Sequence, residues 1–240
     1  AAMSGLFSSI LAQKGAQGPV HILEGEDGFL KAMADEVNKE VLTCNIGKKF
    51  EISNVYTKFY AACRHAHASI DAALKACRNG QVDPAEIKEI SIETYPAALR
   101  IAGIEHPTTP SAARFSIPFS VALALITKDA SAARYSEENI RDERIQSLAE
   151  KVRLSVSSIW EKLYPDKRGA TVTITDTKDR AAAEVELAKG EPENPGSRAA
   201  SKNKFLTNAT LLISEEDAKI LGDAIMNLEN IPLSRFTSLI

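Results

Sequence analysis

The sequence predicts an α+β fold in which helices occupy both ends of the chain and short strands occur only in the middle. Apolar residues recur at helical spacing over residues 3–11, and helical patterns return after residue 196. Apolar and polar residues alternate strictly over residues 90–94 and 171–175, as in half-buried strands. The chain has 240 residues, of which 44% are hydrophobic and 25% charged, and this ordinary composition excludes a disordered or fibrous protein.

Both ends of the chain are predicted to be helical. The first helix ends near Gly15, and a second amphipathic segment runs over residues 27–41. Two helices close the chain after residue 196. The second of them starts at Ser214, where Asp217 completes a capping box.

The middle of the chain begins with a third helix, predicted over residues 61–77. A strand follows over residues 90–94, and residues 102–113 contain enough Gly and Pro to form a loop. Ser116 and the proline two positions later then begin an apolar helix over residues 117–126, which we expect to be buried.

The later part of the middle region returns to strands. Ser136 starts a helix with acidic residues in its first turn, and its apolar spacing extends to Val152. Residues 171–175 and 184–188 alternate in polarity and form a hairpin around a polar loop. Residues 189–196, rich in Pro and Gly, are predicted to be an irregular connector.

Charge and hydropathy exclude two classes of protein. The chain carries 29 Lys and Arg against 32 Asp and Glu, a net charge of -3, so nucleic acid is not an expected partner. The longest apolar run, residues 121–126, is far shorter than the roughly 20 residues of a membrane span. An odd number of cysteines, Cys44, Cys63 and Cys77, fits a reducing, cytoplasmic setting better than a secreted disulfide framework.

The densest group of reactive side chains lies in residues 58–71, which hold two of the four histidines. One interpretation is a metal site formed by Cys63, His65 and His67. Residues two apart on a helix point about 200° away from each other, so this site requires an extended segment and is disfavoured.

Two other interpretations of this segment remain open. Arg64, His67 and Asp71 are spaced three and four apart, so they can form an ordinary hydrogen-bonded network on a helix. Alternatively, a lysine, an arginine and one or two histidines at a helix start can hold a carboxylate while a neutral imidazole moves a proton.

Four stretches of the chain, in the same order, resemble the 2-methylcitrate dehydratase (MmgE/PrpD) family. Together they cover nearly the whole chain, and four ordered matches are more specific than any one of them. The stretches are Leu23-Glu24-Gly25 with Gly28-Phe29; residues 58–72, which follow the pattern K-x-Y-x-x-C-R-x-x-H-x-x-I-D-A; Phe115-Ser116-Ile117-Pro118-Phe119; and residues 189–195 followed by Lys204-Phe205.

This resemblance implies a lyase of the hydro-lyase kind or an epimerase that acts on a small di- or tricarboxylic acid without a cofactor or a metal, as 2-methylcitrate dehydratase or iminodisuccinate epimerase does. The implied domains are the end of an N-terminal helical domain over residues 1–49, an α+β lid domain with a small antiparallel sheet over residues 50–195, and returning helices over residues 196–240. We also expect a homodimer.

The resemblance also implies the site residues. Lys58 and Arg64 would clamp substrate carboxylates, and His67 would move a proton or orient Lys58. Further catalytic or substrate-binding candidates are His65, Tyr60, Arg114 and Ser116. Alternatives stay open for three of these residues: core packing for Tyr60, a solvated charge for Arg114 and a helix cap for Ser116.

The chain departs from the family in two respects. Cys63 stands where the decarboxylase-like branch carries a histidine, which argues against decarboxylation. Ala1 corresponds to a point late in the helical domain, so we expect that domain to be missing, the chain to be inactive alone, and apolar stripes over residues 1–45 and 197–240 to be exposed. Two rival hypotheses are a non-catalytic carboxylate-binding or interaction protein with the same fold and a metal hydrolase using Cys63 and His67.

Overall fold

A computed structural model describes residues 2–80 and 82–239, so Ala1, the position compared above with the family's helical domain, lies outside the described residues. Within this part, the chain forms two compact units, one ending at Asn54 and one beginning at Val55.

The first unit contains α1 (Ala2–Gln13), α2 (Phe29–Met33) and two 3-10 turns (Lys39–Leu42 and Glu51–Asn54). Helix α1 confirms the prediction. The long helix predicted over residues 27–41 is wrong, because Ala34 takes an extended conformation and ends α2 after five residues. An amphipathic helix gains its stability mainly by burying its apolar face, and Phe29 and Met33 remain 54% and 70% exposed.

The second unit carries a four-stranded sheet and the remaining helices. In chain order its elements are α3 (His67–Gly80), β1 (Glu89–Thr94), α4 (Pro96–Ala102), α5 (Pro110–Ala113), α6 (Ile117–Thr127), α7 (Glu137–Arg141), α8 (Glu143–Ala149), β2 (Val152–Val156), α9 (Ser158–Leu163), β3 (Ala170–Thr175), β4 (Arg180–Val185), α10 (Arg198–Ala209), α11 (Glu215–Met226) and α12 (Leu233–Thr237).

The sheet has the strand order β2-β1-β3-β4. Strand β1 pairs antiparallel with β3 and parallel with β2, so the sheet is mixed, where the sequence predicted an antiparallel one. Ile90 lies opposite Ile174, and Ile92 opposite Val172, which sets the buried residues of the two strands in register. The α+β class is confirmed.

Helices α3 and α6 form the core with the sheet. Helix α3 packs against β3 and β4 and also contacts α6, which in turn packs against α8. Helix α6 is buried throughout residues 117–125, as predicted. The Ser116 hydroxyl caps it by accepting a hydrogen bond from the backbone nitrogen of Phe119 at 3.1 Å.

Several boundaries predicted for the second unit are wrong. The helix from Ser136 breaks at Asp142, whose extended backbone and side chain cap α8 separately. Val152, predicted to lie in this helix, instead begins β2, where it pairs with Ile90 and is buried. The loop of the hairpin is shorter than predicted, because β4 starts at Arg180. The Asp176 side chain closes this loop by accepting hydrogen bonds from the backbone nitrogens of Lys178 and Asp179.

Within residues 2–80 and 82–239, no helix is both long and apolar enough to cross a lipid bilayer. Many large apolar side chains near both ends are exposed, as expected from the sequence; Met3, Leu212 and Leu233 are 83%, 91% and 71% exposed.

Candidate functional site

The site residues gather where the chain enters α3. The helix predicted from residue 61 does not start there, because Cys63 has the extended angles φ -54° and ψ 140°. A 3-10 turn, Arg64–Ala66, then leads into α3 at His67. This irregular entrance directs His65 and His67 to different partners. Among the described residues, no group of three His, Cys, Asp or Glu side chains is arranged to hold a metal ion.

His67 is completely buried at the start of α3. Its Nδ1 atom lies 2.9 Å from an Arg64 guanidinium nitrogen, and its Nε2 atom lies 3.4 Å from the Ala62 carbonyl oxygen. A guanidinium only donates and a carbonyl only accepts, so the imidazole is neutral with its proton on Nε2. Burial, reinforced by the charge of Arg64, lowers the pKa of His67 to about 3. Both ring nitrogens are therefore occupied by the protein.

Arg64 lies beneath the surface and is bound to the connector after β4. Its guanidinium Nη2 and Nε atoms lie 2.5 Å and 3.1 Å from Oε1 of Glu191, and both side chains are largely buried. The guanidinium carbon of Arg64 lies 4.7 Å from the centre of the Tyr56 ring, a cation–π contact. Glu191 thus neutralises the charge that the sequence assigned to a substrate carboxylate.

His65 points to the end of strand β1. Its Nδ1 atom lies 2.6 Å from the hydroxyl oxygen of Tyr95, and its ring is tilted against the Tyr95 ring. Tyr95 is fully buried and stacks on Tyr164 with 4.6 Å between ring centres. A tyrosine hydroxyl can donate or accept, so it supports either neutral tautomer of His65. The Nε2 atom of His65 has no hydrogen-bond partner among the described residues.

Three cationic side chains act electrostatically on this half-buried imidazole. Burial lowers the pKa of His65, and the charges of Arg168 and Arg100 lower it further. Lys58 acts in the same direction. Within the described part of the chain, none of these three cations forms an ion pair with a carboxylate. The arrangement can therefore hold an anion next to a neutral imidazole.

The comparison with known proteins matches most of this unit. The model of the MmgE/PrpD C-terminal domain matches residues 60–230. The chain belongs to the MmgE/PrpD family. It is also 29% identical over 133 residues to 2-methylcitrate dehydratase of Escherichia coli O157:H7, an alignment that covers 52% of this chain and 28% of that protein. The chain thus spans less than a third of the length of this curated relative.

In this MmgE/PrpD chain, Tyr60 contacts the first two turns of α3, and Lys58 is exposed in the segment before it. The Tyr60 hydroxyl donates to a carboxylate oxygen of Asp71 at 2.5 Å, and its ring meets His67 edge to face. The second oxygen of Asp71 accepts from the backbone nitrogen of Lys189 at 2.7 Å. Asp71 therefore joins Tyr60 and the connector, and does not contact His67 as its helical spacing suggested.

The last two predicted residues, Arg114 and Ser116, lie at the start of α6. Arg114 is exposed, and its guanidinium carbon lies 6.0 Å from the centre of the Tyr135 ring. Ser116 is completely buried; besides capping α6, its hydroxyl donates to the Ile104 carbonyl oxygen at 2.5 Å. The geometry of Ser116 is that of a helix cap, one of the two alternatives left open by the sequence.

The sequence did not indicate four residues of this candidate site, Tyr95, Arg100, Arg168 and Glu191. Arg168 has a buried Nε atom without a hydrogen-bond partner in the described residues, and its guanidinium carbon lies 6.0 Å from the Tyr56 ring centre. A tyrosine before a proline and an isolated arginine carry no local signal. Glu191 belongs to the connector motif over residues 189–195, but nothing in its spacing indicates Arg64 as its partner.

Proposed function

We propose that this chain supplies part of the active site of a lyase or isomerase that acts on a small di- or tricarboxylic acid. The reaction is a cofactor-independent proton transfer at a carbon next to a carboxylate. One observation carries the proposal: the half-buried imidazole of His65 is held by Tyr95 with Nε2 open, and its pKa is lowered by the charges of Arg168, Arg100 and Lys58, which have no carboxylate partner in the described part of the chain.

The cations supply what this chemistry requires. Removing a proton next to a carboxylate places negative charge on that carboxylate, and positive charges stabilise it. Arg168 is half-buried, whereas Arg100 and Lys58 are exposed, so Arg168 acts in the lowest dielectric of the three. Arg168 and Arg100 are the clamp residues of this proposal, with Lys58 beside them. A bound dianion also offsets the cations that lower the pKa of His65, so substrate binding makes the imidazole a stronger base.

His65 is the proton-transfer group of the proposal. Its lowered pKa keeps it neutral at pH 7, and Nε2 is the nitrogen that the protein leaves open. With Nδ1–H donating to the Tyr95 oxygen, Nε2 accepts the substrate proton and the ring becomes an imidazolium, which returns the proton from Nε2 and is neutral again. The Tyr95 oxygen accepts the Nδ1 hydrogen bond in both halves of this reaction.

Arg64 and His67 act in this proposal as positioning residues. Arg64 forms an ion pair with Glu191, and His67 hydrogen-bonds to Arg64 and to the Ala62 backbone. Together they fix the 3-10 turn that carries His65. This differs from the roles implied by the resemblance, in which Arg64 clamps substrate and His67 moves the proton.

The name of the relative favours dehydration as the overall reaction. The aligned protein is a 2-methylcitrate dehydratase, and dehydration of such an acid begins with loss of the proton next to a carboxylate. Epimerisation begins with the same step and returns the proton to the other face. Lys58 and His65 would serve both reactions, so the proposal covers a dehydratase and an epimerase.

The test is proton exchange in heavy water. The complete gene product is incubated in D2O with 2-methylcitrate and with related di- and tricarboxylic acids, and deuterium at the carbon beside the carboxylate is measured by NMR. We expect exchange with the wild type and a loss of roughly 10²–10⁴-fold in His65→Gln, the range for a general acid–base group.

His106→Gln is the matched control, since His106 is exposed and lies outside the cation group. It should exchange at the wild-type rate. Wild-type exchange in His65→Gln would overturn the assignment of His65. Stabilisation of the protein by these acids without exchange or turnover of any of them would replace the enzyme by the rival function, a carboxylate-binding protein.

A further inference from the structure

A second cationic region surrounds a cavity that we call the lysine cavity. Its walls are residues 58–61, Asp129, Ser131 and Ala132 after α6, Lys189, and one face of α10. Its volume is about 460 Å³, which is within the range of small-molecule sites. His65, Tyr95, Arg100 and Arg168 do not line it. Only Lys58 belongs to both regions.

The charge of the lysine cavity is unbalanced. Lys58, Lys189 and Lys204 line it, and none of them forms an ion pair with a carboxylate among the described residues. Lys189 is held at the wall by a cation–π contact, with its Nζ atom 4.7 Å from the centre of the Phe59 ring.

The one carboxylate in the cavity wall is already bound. Asp129 accepts hydrogen bonds from the Ser131 hydroxyl at 2.8 Å and from Arg134 at 3.2 Å. Partial burial raises the pKa of Asp129, but these bonds outweigh burial and hold the pKa below its ordinary value. Asp129 is thus an anion satisfied by Arg134, and it leaves the three lysines without a counter-charge.

Helix α10 adds neutral hydrogen-bonding groups at helical spacing. Asn203, Lys204, Thr207 and Asn208 fall on the face of α10 that lines the cavity. Lys202 of the same helix instead binds Asp223 of α11 at 2.7 Å. One helix therefore offers a lysine committed to an ion pair and a lysine that faces the cavity without one.

We propose that the lysine cavity is a second anion-binding site, separate from the site around His65. Its ligand is a compact molecule with two or three negative charges, carried by carboxylates or by phosphates. Charged oxygens would meet the three ammonium groups, and the amides of Asn203 and Asn208 would bind the remaining polar groups. A ligand on Lys58 from this side competes for a cation of the proposed substrate clamp, so it would inhibit the proton transfer; only this last consequence rests on the proposed function.

The test is a binding measurement with two probes. Tricarballylate, a tricarboxylate without a hydroxyl group, and pyrophosphate are each titrated into the complete gene product by calorimetry at low ionic strength. Binding of either anion that persists in Arg168→Gln, in which the site around His65 is weakened, supports the lysine cavity and identifies its chemical class. Because a hydrogen bond to a charged group contributes about 1.5–3 kcal/mol, Lys204→Gln should weaken binding about tenfold or more. Lys204→Arg, which keeps the charge, should retain most of the affinity.

Two further variants separate this site from other effects. Lys202→Gln changes the net charge by the same amount on the same helix, and it should bind within about twofold of the wild type because its charge is committed to Asp223. Arg168→Gln weakens the site around His65 and should leave binding in the lysine cavity intact. Absence of binding for both anions, or equal losses in Lys204→Gln and Lys202→Gln, would overturn the proposal. Failure of the exchange assay above, with binding retained here, would overturn only the proposed function.

Discussion

The hydroxyl oxygen of Tyr95 lies 2.6 Å from Nδ1 of His65 and joins the end of strand β1 to the entrance of helix α3. Tyr95 directly follows β1 and stands at the position before α4, so its backbone is fixed between the sheet and that helix. Its ring is held further by stacking on Tyr164. A buried phenol thereby sets the direction of a half-buried imidazole.

Tyr95→Phe should impair catalysis through His65 while keeping the ring stack. We expect kcat to fall about tenfold, less than the roughly 10²–10⁴-fold expected for loss of the acid–base group itself, because the imidazole remains but loses its orientation. The ¹⁵N shifts of His65 should show a mixture of tautomers different from that of the wild type. Unchanged shifts and kcat would show that the hydroxyl does not position His65.

Arg168→Gln should move the pH dependence of the reaction. Burial and then the charge of Arg168 lower the pKa of His65, so removing that charge lets the pKa rise toward its ordinary value. A general base works above its pKa, so the acidic limb of the kcat/KM profile should shift to higher pH. Arg153→Gln, which removes an exposed arginine, should leave the limb in place. A shift to lower pH in Arg168→Gln would contradict this account.

His67→Gln should make the protein less sensitive to acid. The pKa of His67 is about 3 in the folded state and near 6.5 in the unfolded chain, so below pH 6.5 only the unfolded state binds the proton. The stability of the wild type is therefore fully present above pH 6.5 and falls by about 1.4 kcal/mol per pH unit toward pH 3.

Glutamine can replace both hydrogen bonds of His67 without titrating. Urea unfolding at pH 7 and pH 5 should show that His67→Gln loses about 2 kcal/mol less than the wild type over this interval. Equal losses in both proteins would mean that His67 is protonated in the folded state.

Glu191→Gln should destabilise the second unit strongly. It leaves the buried Arg64 guanidinium without its counter-charge, and breaking one side of a buried ion pair costs about 3–5 kcal/mol. Glu137→Gln removes a carboxylate from the exposed pair with Arg141 and should cost about 0.5 kcal/mol. Denaturant midpoints of the two variants compare them directly, and equal midpoints would show that burial adds nothing to the Arg64 pair.

Ser116→Ala should lower stability without changing substrate affinity. It removes the cap of α6 and leaves the Phe119 nitrogen without its partner, at a cost of about 1–2 kcal/mol. Thermal unfolding measures this loss, and KM in the complete gene product should stay at the wild-type value. A raised KM with unchanged stability would instead place Ser116 against the substrate.

The elements predicted correctly from the sequence are those specified by local signals. Helix α6 has an N-cap serine, a proline in its first turn and a continuous apolar run, and β1 alternates in polarity over its whole length. Strand β2 was missed because Val152 fits the spacing of the preceding helix; its pairing with Ile90 of β1 makes it the start of a strand.

The candidate site was predicted as a segment but not as a set of contacts. Residues 58–71 do hold the two histidines, yet the partner of His65 lies 30 positions away and that of Arg64 lies 127 positions away. Such contacts depend on the packing of the sheet and the connector. Of the two contacts that helical spacing allowed, the one between Arg64 and His67 forms. Tertiary packing instead places the Asp71 carboxylate against Tyr60 and Lys189.

The parallel pairing of β1 with β2 has a consequence for the order of folding. Strands β3 and β4 are joined by a four-residue loop, 176–179, whereas β1 reaches β2 and β3 only after residues 95–151 and 95–169 have been brought together. The entropy of closing a loop rises with its length, so we expect the β3–β4 hairpin to form before either pairing of β1. Tyr95, at the start of the long loop, reaches its place beside His65 only as that loop closes.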